Sequence, residues 1–181
     1  MSTQPQKISI LVISGSVGVG KTEVSYALSK TLRDKGITHA VIDLDCLREA
    51  FPRPENDPFY WNLGIKNLSA IWKNYEEIGV THLIIPTVVE EPSEVDSFKS
   101  VIPNSDIKVV LLKARLETIH NRLKSRETGD ALEWHLKRAV ELTNQLEQAK
   151  VEDLVIDTDN KTVDEVAKEI LVKTEFTSPR G

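Results

Sequence analysis

The segment Gly15–Thr22 holds the residues with the clearest chemical purpose in the chain. Its sequence, GSVGVGKT, matches the pattern G-x-x-x-x-G-K-[ST] at every position. Gly15, Gly18 and Gly20 permit backbone angles that a Cβ would disfavour, so successive N–H groups can point toward one anion. The pattern predicts that the phosphates of ATP are held by Gly15, Ser16, Val17, Gly18, Val19, Gly20, Lys21 and Thr22.

Two side chains of this segment, Lys21 and Thr22, complete the predicted phosphate site. Lys21 is expected to reach the β- and γ-phosphates, and the Thr22 hydroxyl is expected to be a ligand of Mg²⁺. The alternative interpretation is a chance Gly-rich turn. It is disfavoured because the segment follows an apolar strand pattern and opens a helical one, which is the context that the motif requires. We therefore predict ATP and Mg²⁺ as the ligands of this loop.

The elements that would position this loop alternate between strand and helix patterns. Lys7–Ser14 is almost continuously apolar, as expected of a central parallel strand that is buried on both faces. Further strands are predicted at His39–Leu44, Thr81–Ile85, Asp106–Leu112 and Leu154–Asp157. Helices are predicted at Thr22–Lys35, 68–78, Glu91–Val101, Leu116–Lys124, 132–146 and Val163–Val172. This alternation predicts an α/β fold with a five-stranded parallel sheet.

Chain length and charge narrow the class of protein. With 181 residues, the chain is expected to form one domain over 1–181, with flexible ends at 1–6 and 175–181. The net charge of −5 argues against a nucleic-acid partner, and no apolar run is long enough to suggest a membrane span. The single cysteine, Cys46, excludes an internal disulfide and fits a reducing compartment. We therefore expect a cytoplasmic protein that acts on a small molecule; its oligomeric state stays open.

Other classes of phosphate-loop protein fit the sequence less well. A switch GTPase needs an Asp-x-x-Gly element, and no glycine in the chain has an aspartate three residues before it. Asn160 and Lys161 resemble the start of a guanine-binding N-K-x-D element, but Asp164 lies one residue too far along, so a turn is the better interpretation. A large ATPase needs a longer chain. A small-molecule kinase is therefore favoured.

Four sequence strings carry a resemblance to a known group of proteins. They are GSVGVGKT at Gly15–Thr22, VIDLDCLR at Val41–Arg48, RLKSRETG at Arg122–Gly129 and VIDTD at Val155–Asp159. Nearly the whole chain resembles the small P-loop kinases that include adenylylsulfate kinase, gluconate kinase and chloramphenicol phosphotransferase, and it is most similar to bacterial AAA-family or adenylylsulfate-kinase-like members. The resemblance implies a three-layer P-loop fold with a small lid, and transfer of the γ-phosphate of ATP to a small acceptor.

Two aspartates and an arginine after the second predicted strand are candidates for acceptor chemistry. Adenylylsulfate kinases carry an Asp-Gly-Asp-Asn-x-Arg run there, and Asp43, Asp45 and Arg48 match its acids and its arginine. Leu44 and Cys46 replace its glycine and asparagine, so the adenylylsulfate acceptor itself is not predicted. The resemblance implies that Asp45 takes the acceptor's proton or helps to hold Mg²⁺. Arg48 would bind an anionic part of the acceptor, and Asp43 would also contact the substrate. The alternative for Asp45 is the N-cap of a short helix.

Arg122 and Arg126 are the candidates for a lid. They lie four residues apart and would share a helix face. In small kinases, such arginines close over the transferred phosphate and neutralise its charge, so we predict catalytic roles for both. Arg115 is a possible third member, and Gly129, in the charged segment Ser125–Asp130, offers a hinge. The alternative is a solvated basic face.

The acceptor side is less clearly marked. Phe59, Tyr60 and Trp61 follow a Pro-rich stretch and either line a substrate pocket or pack a loop. The third predicted strand ends without the acid that often holds the water shell of Mg²⁺. Either Asp43 or Glu90 takes that role, or the protein is a nucleotide-binding sensor or slow ATPase that acts on a protein partner.

Three remaining features are interpreted as structural or as main-chain contacts. Trp72 and Trp134 are expected to pack within or at the edge of the core. Asp157–Asn160 is expected to pass around the adenine through its main chain, as in the related kinases. The four histidines lack the spacing of metal ligands, so no zinc site is predicted.

Overall fold

Five parallel strands form one sheet in the computed structural model, which describes residues 7–177. The elements follow the order β1 Ile8–Gly15, α1 Lys21–Asp34, β2 His39–Val41, α2 Leu44–Leu47, α3 Trp61–Glu77, β3 His82–Pro86, α4 Pro92–Val101, β4 Ser105–Lys113, α5 Leu116–Arg126, α6 Gly129–Ala149, β5 Leu154–Asp157 and α7 Val163–Thr174. The strand order is β2-β3-β1-β4-β5, and each neighbouring pair is parallel. The predicted α/β class and five-stranded parallel sheet are confirmed.

The central strand β1 explains why helices cover both faces of the sheet. All of its residues are buried, and successive side chains point to opposite faces. Ile10 and Val12 enter a core that they share with α3 and α4 and that contains Trp72, which is 3% exposed. Leu11 and Ile13 enter a second core that they share with α1 and α7. The sheet and its two helical layers form the predicted three-layer fold.

The strand β2 is shorter than predicted because an aspartate ends it. The prediction placed a strand over His39–Leu44, but β2 stops at Val41. The Asp43 carboxylate accepts a hydrogen bond from the Asp45 backbone N–H at 3.0 Å and caps the short helix α2. The N-cap is therefore Asp43, and the alternative that Asp45 caps this helix is wrong.

The helix α3 begins seven residues earlier than the apolar spacing indicated. The Asp57 carboxylate accepts hydrogen bonds from the backbone N–H groups of Trp61 at 2.7 Å and Asn62 at 3.1 Å. A carboxylate at this position satisfies N–H groups that have no partner within the helix. Trp61 is thus the first residue of a helix, while Phe59 lies in the preceding loop.

The connection between α5 and α6 replaces the longer irregular segment that was predicted over Ser125–Asp130. Only Glu127 and Thr128 separate the two helices, and Gly129 opens α6 with a φ of 66°. The candidate lid is therefore the corner between two helices.

Near the end of the described residues, Phe176 is buried more deeply than expected. Phe176 lies in the segment that was predicted to be flexible, yet it is 2% exposed and its ring meets His82 edge-on. The rest of that prediction, for 1–6 and 178–181, lies outside the described residues. Among residues 7–177, no helix has the length and apolar character needed to cross a membrane.

Candidate active site

The phosphate loop connects β1 to α1 and is closely packed on both sides. A Cβ on Gly15 would lie 2.7 Å from the Leu112 carbonyl oxygen, and a Cβ on Gly18 would lie 2.8 Å from Leu123 Cγ. Both glycines also have a positive φ, of 144° and 81°. Glycine is therefore required at these two positions by contact with β4 and α5 as well as by backbone conformation.

The other loop residues anchor the backbone to the core. The Ser16 side chain is buried and its hydroxyl donates to the Val17 carbonyl at 3.2 Å. Val17 packs against a small cluster between α5 and α6, while Val19 is buried in the core beneath α1. Gly20 occupies the N-cap position of α1 with a left-handed backbone. These side chains fix the loop to the core, and phosphate binding by its N–H groups stays a prediction.

Lys21 lies over this loop. Its ammonium donates to the carbonyls of Gly15 at 3.0 Å and Ser16 at 3.1 Å. Burial lowers the pKa of Lys21 to about 8, and the neighbouring carboxylates of Asp45 and Asp43 partly oppose that shift. A cation with this depressed pKa gains from an anionic ligand, because the ligand's charge favours the protonated form.

Thr22, near the start of α1, forms a side-chain hydrogen bond with Asp43. The Thr22 hydroxyl donates to Asp43 Oδ2 at 3.2 Å. Burial and the nearby Asp45 raise the pKa of the Asp43 carboxyl, against the effect of its hydrogen bonds and of Lys21. The hydroxyl and the carboxylate together offer the hard oxygen donors that Mg²⁺ prefers, so these residues fit the predicted ion.

Asp45 and Arg48 face the same cleft as Lys21 and form an ion pair. The Arg48 guanidinium donates to Asp45 Oδ1 from Nη2 at 2.5 Å and from Nε at 3.1 Å. It also lies over the Trp61 ring, with Cζ 5.7 Å from the ring centroid. The arginine that was expected to bind an anionic acceptor is therefore already paired with the predicted base.

Arg122 connects two loops of the nucleotide side. Its guanidinium donates to the Val19 carbonyl at 2.9 Å and to the Thr158 hydroxyl and carbonyl at 3.1 and 3.2 Å. These three bonds fix the phosphate loop to the segment that follows β5. Arg122 thus binds a carbonyl of the phosphate loop and helps to fix the loop in place. This role differs from the mobile lid role that was predicted.

The two other predicted arginines have different surroundings. Arg126 is half-exposed, pairs with Glu127 at 2.8 Å, and lies close enough to Lys21 for its charge to oppose protonation there. Arg115 instead pairs with Asp159 at 3.1 Å, on the loop after β5. Arg126 remains a candidate to contact the transferred phosphate, while Arg115 stabilises the loop after β5 through its ion pair with Asp159.

A pocket of ≈ 280 Å³ adjoins the phosphate loop at Gly18–Gly20. Arg122 and Arg126 line one part of it, and Thr158, Lys161 and Val163 line another. The predicted adenine segment, Asp157–Asn160, thus contributes Thr158 to this pocket. Its position next to the phosphate loop suits the base of a nucleotide.

A second and larger cleft, of ≈ 880 Å³, has Lys21 in its lining. The predicted residues that line it are Asp43, Asp45, Arg48, Phe59, Tyr60, Trp61 and Glu90. The structure thus brings together the aromatic residues, the two aspartates and the phosphate-loop lysine, which the sequence separates by up to 40 residues.

Glu90 and Arg138 form a further ion pair in this cleft. Arg138 Nη2 donates to Glu90 Oε1 at 2.7 Å, and its guanidinium lies 5.1 Å from the Phe59 ring centroid. Thr87 follows β3 directly; it is buried, and its hydroxyl has no hydrogen-bond partner in the described structure. Asp43 bonds the Thr22 hydroxyl, whereas Glu90 is paired with Arg138, so Asp43 is the better placed substitute.

The helix α6 contributes residues that the sequence interpretation missed. Trp134, His135 and Arg138 all line the large cleft. Trp134 is 50% exposed and therefore lies outside the core, and its ring packs against that of His135, which bonds Glu127 at 2.5 Å. Trp134 and Arg138 are four residues apart on one helix face, and that spacing is the only sequence signal that could have found them.

No group of three or more His, Cys, Asp or Glu side chains within residues 7–177 could hold a metal ion. Mg²⁺ does not need such a cage, since it usually takes few protein ligands and completes its shell with phosphate and water.

Comparison with known proteins supports the fold. Neither a family model nor a curated protein matches the sequence. Among solved structures, the chain is similar to the Deinococcus radiodurans tunicamycin resistance protein (TM-score 0.67, 18% identity, covering 97% of this chain and 100% of that one). It is also similar to a Mycobacterium tuberculosis APS kinase in complex with AMPPNP and APS (0.58, 19%, 94% and 99%) and to a Sinorhizobium meliloti gluconokinase (0.58, 17%, 96% and 99%). These neighbours belong to the group that the sequence resembles, and the P-loop kinase fold is confirmed.

Proposed function

We propose that this protein is a cytoplasmic, Mg²⁺-dependent kinase that transfers the γ-phosphate of ATP to a hydroxyl group of a small molecule. One observation carries the proposal: Lys21 of the phosphate loop, Asp43 and Asp45 border a single large cleft. A phosphate held by the loop would thus face a carboxylate and a space for a second substrate. The kinase fold of the structural neighbours supports the same reaction class.

On the nucleotide side, the loop N–H groups of residues 15–22 would bind the phosphates of ATP, and Lys21 would neutralise the charge that develops on transfer. Thr22 and Asp43 would hold Mg²⁺, which supplies charge neutralisation at the β- and γ-phosphates. The pocket that contains Thr158 would take the base. Arg122 would keep that pocket and the loop in a fixed relation, and Arg126 would approach the transferred group.

On the acceptor side, Asp45 would accept the proton of the acceptor hydroxyl as its oxygen bonds to the γ-phosphorus. The bond from that phosphorus to the bridging oxygen breaks, and ADP leaves with the electron pair. Arg48 orients the Asp45 carboxylate through two hydrogen bonds, and Asp43 and Arg48, which line the cleft, would border the acceptor. Little covalent chemistry falls to the protein, so positioning and charge carry most of the effect.

The test compares ADP formation by the protein and by Asp45→Asn, with a panel of hydroxylated metabolites. We expect Asp45→Asn to lower kcat by about 10²-fold or more, because general-base catalysis contributes that much, while the Kd for ATP stays within about twofold. Asp34→Asn, an exposed carboxylate at the end of α1, is the matched control and should match the parent. Full turnover by Asp45→Asn with its acceptor would refute the assignment of the base.

A second candidate is a nucleotide-binding sensor or slow ATPase that acts on a protein partner. It is favoured by the position after β3, where Thr87 stands in place of an acid. ATP loss measured with and without the metabolite panel separates the two candidates. Hydrolysis at one rate in both conditions supports the second, and ADP formation that depends on a metabolite supports the kinase.

A further inference from the structure

The charge of the large cleft constrains the acceptor. The lining contains four cationic side chains, Lys21, Arg48, Arg53 and Arg138, against seven carboxylates. The carboxylates are Asp43, Asp45, Glu49, Asp57, Glu90, Glu91 and Glu94. Carboxylates are therefore in excess, and a further negative charge brought by the acceptor would be repelled.

The two buried arginines of the cleft are already neutralised. Arg48 pairs with Asp45 at 2.5 Å and Arg138 pairs with Glu90 at 2.7 Å, and each arginine side chain is only 15% exposed. Releasing either arginine to an anionic acceptor would leave its partner carboxylate beside that anion, and the two like charges would repel each other. Arg53 is exposed and is the remaining cation on the acceptor side.

The cleft also presents aromatic surface. Phe59 is 44% exposed and Trp134 is 50% exposed, and both line the cleft from separate elements, the loop before α3 and the helix α6. Each ring is held by a neighbour: Phe59 lies under the Arg138 guanidinium, and Trp134 meets His135 edge-on. Rings that are oriented but exposed are suited to cover a planar apolar group of a ligand.

The volume of the cleft fits a large acceptor. At ≈ 880 Å³ it is about three times the ≈ 280 Å³ of the pocket beside the phosphate loop. Building on the proposed function, we infer that the acceptor is an uncharged hydroxylated compound that carries an aromatic ring. The ring would lie between Phe59 and Trp134, with its hydroxyl near Asp45. Arg48 would then orient Asp45 and would not bind an anion.

The experiment uses acceptor pairs that differ in charge: 1-phenyl-1,2-ethanediol with mandelate, and uridine with uridine 5′-monophosphate. Phosphoryl transfer from ATP is measured for each, and ATP binding is measured separately by calorimetry. We expect kcat/KM for a neutral member to exceed that of its anionic partner by at least about tenfold, because like charges repel in the cleft. A better rate with the anionic members would overturn the inference.

Two sets of variants test the residues. Phe59→Ala and Trp134→Ala should raise KM for the neutral acceptor by about two- to tenfold with little change in kcat, since each removes an aromatic contact. Tyr26→Ala, an exposed ring on α1 outside the cleft, is the control. Glu90→Gln removes the nearer of the two carboxylates that pair with Arg138, at 2.7 Å against 3.6 Å for Glu141, so it should reduce the preference for the neutral member. An unchanged KM in both aromatic variants, or an unchanged preference in Glu90→Gln, would contradict the inference.

The outcomes separate the two proposals. If the protein binds ATP but phosphorylates none of the neutral members, the inferred acceptor class is wrong and the proposed kinase function stands to be tested with other acceptors. If ATP does not bind, the proposed function fails as well.

Discussion

The proposed nucleotide side and the proposed acceptor side of this site are built in different ways. The nucleotide side is one continuous segment, residues 15–22, whose backbone is fixed by packing of Gly15 on β4 and of Gly18 on α5. The acceptor side is assembled from side chains on α2, the loop before α3, the segment after β3, and α6. The positions of these side chains are held by the ion pairs Asp45–Arg48 and Glu90–Arg138.

Because of this difference, we expect substitutions to affect the two sides in different ways. A backbone site depends on a few glycines and one lysine, and a single substitution there should abolish its function. A site made of side-chain pairs should lose specificity by degrees, because each pair contributes a part of the acceptor's surroundings. The following predictions test that contrast.

The largest effect is expected from Lys21→Met. We predict that phosphoryl transfer falls by about 10³-fold, because the variant removes a charged donor from the site of phosphate charge. The thermal stability should be kept or raised, because burial penalises the ammonium in the free protein. The control is Lys30→Met on the exposed face of α1. A rate within a few-fold of the parent, measured by ADP release, would mean that Lys21 does not act on the phosphates.

Gly18→Ala should weaken the nucleotide side through packing as well as through backbone conformation. The added methyl group would lie 2.8 Å from Leu123 Cγ, and overpacking of this kind costs about 1–3 kcal/mol. Gly36→Ala is the matched control, since Gly36 also has a positive φ but no atom within 4 Å of the added Cβ. Chemical denaturation should give a larger loss for Gly18→Ala than for Gly36→Ala. Equal losses would show that backbone conformation alone requires the glycine.

The affinity for ATP should depend on pH through Lys21. Its pKa is about 8 in the free protein, so the ammonium is present below pH 8 and is lost above it. Because the triphosphate binds the protonated form, the Kd should rise by up to about tenfold per pH unit above pH 8. Calorimetry from pH 7 to 9.5 measures this. Lys21→Met should lack the dependence, and the same slope in that variant would assign it to another group.

The smallest effect is expected from Arg138→Met on the acceptor side. The substitution leaves Glu90 unpaired but partly solvated, so the loss of stability should be about 1 kcal/mol or less. The Kd for ATP should stay within about twofold, because Arg138 makes no contact with the phosphate loop. A loss of ATP affinity similar to that of Gly18→Ala would contradict the separation of the two sides.

The sequence predicted the strand, the loop and the helix around Gly15–Thr22 well because their information is local. The strand, the glycines and the helix start follow one another within Ile8–Thr22, so one pattern specifies them together. The same holds for the sheet, whose five apolar segments alternate with helices. The order of the strands within the sheet and the depth of packing of Phe176 depend on contacts between distant residues, which periodicity does not encode.

The lining of the large cleft was predicted only in part, for the same physical reason. Asp45 and Arg48 were found through their common string, but their mutual ion pair was not. Arg138 lies 48 residues beyond Glu90, and neither residue type nor spacing in the sequence predicts their ion pair. Asp43 rather than Asp45 caps α2 because β2 ends at Val41, a boundary that apolar patterns locate only within a few residues.

Phosphorus NMR of the protein with ATP, Mg²⁺ and the pooled neutral and anionic acceptors tests the central claim most directly. Our account predicts that the γ-phosphorus signal of ATP decreases while a phosphate-ester signal grows in equal amount with ADP. It also predicts that omission of the acceptors stops ADP formation. Release of inorganic phosphate at the same rate with and without acceptors would contradict the kinase assignment.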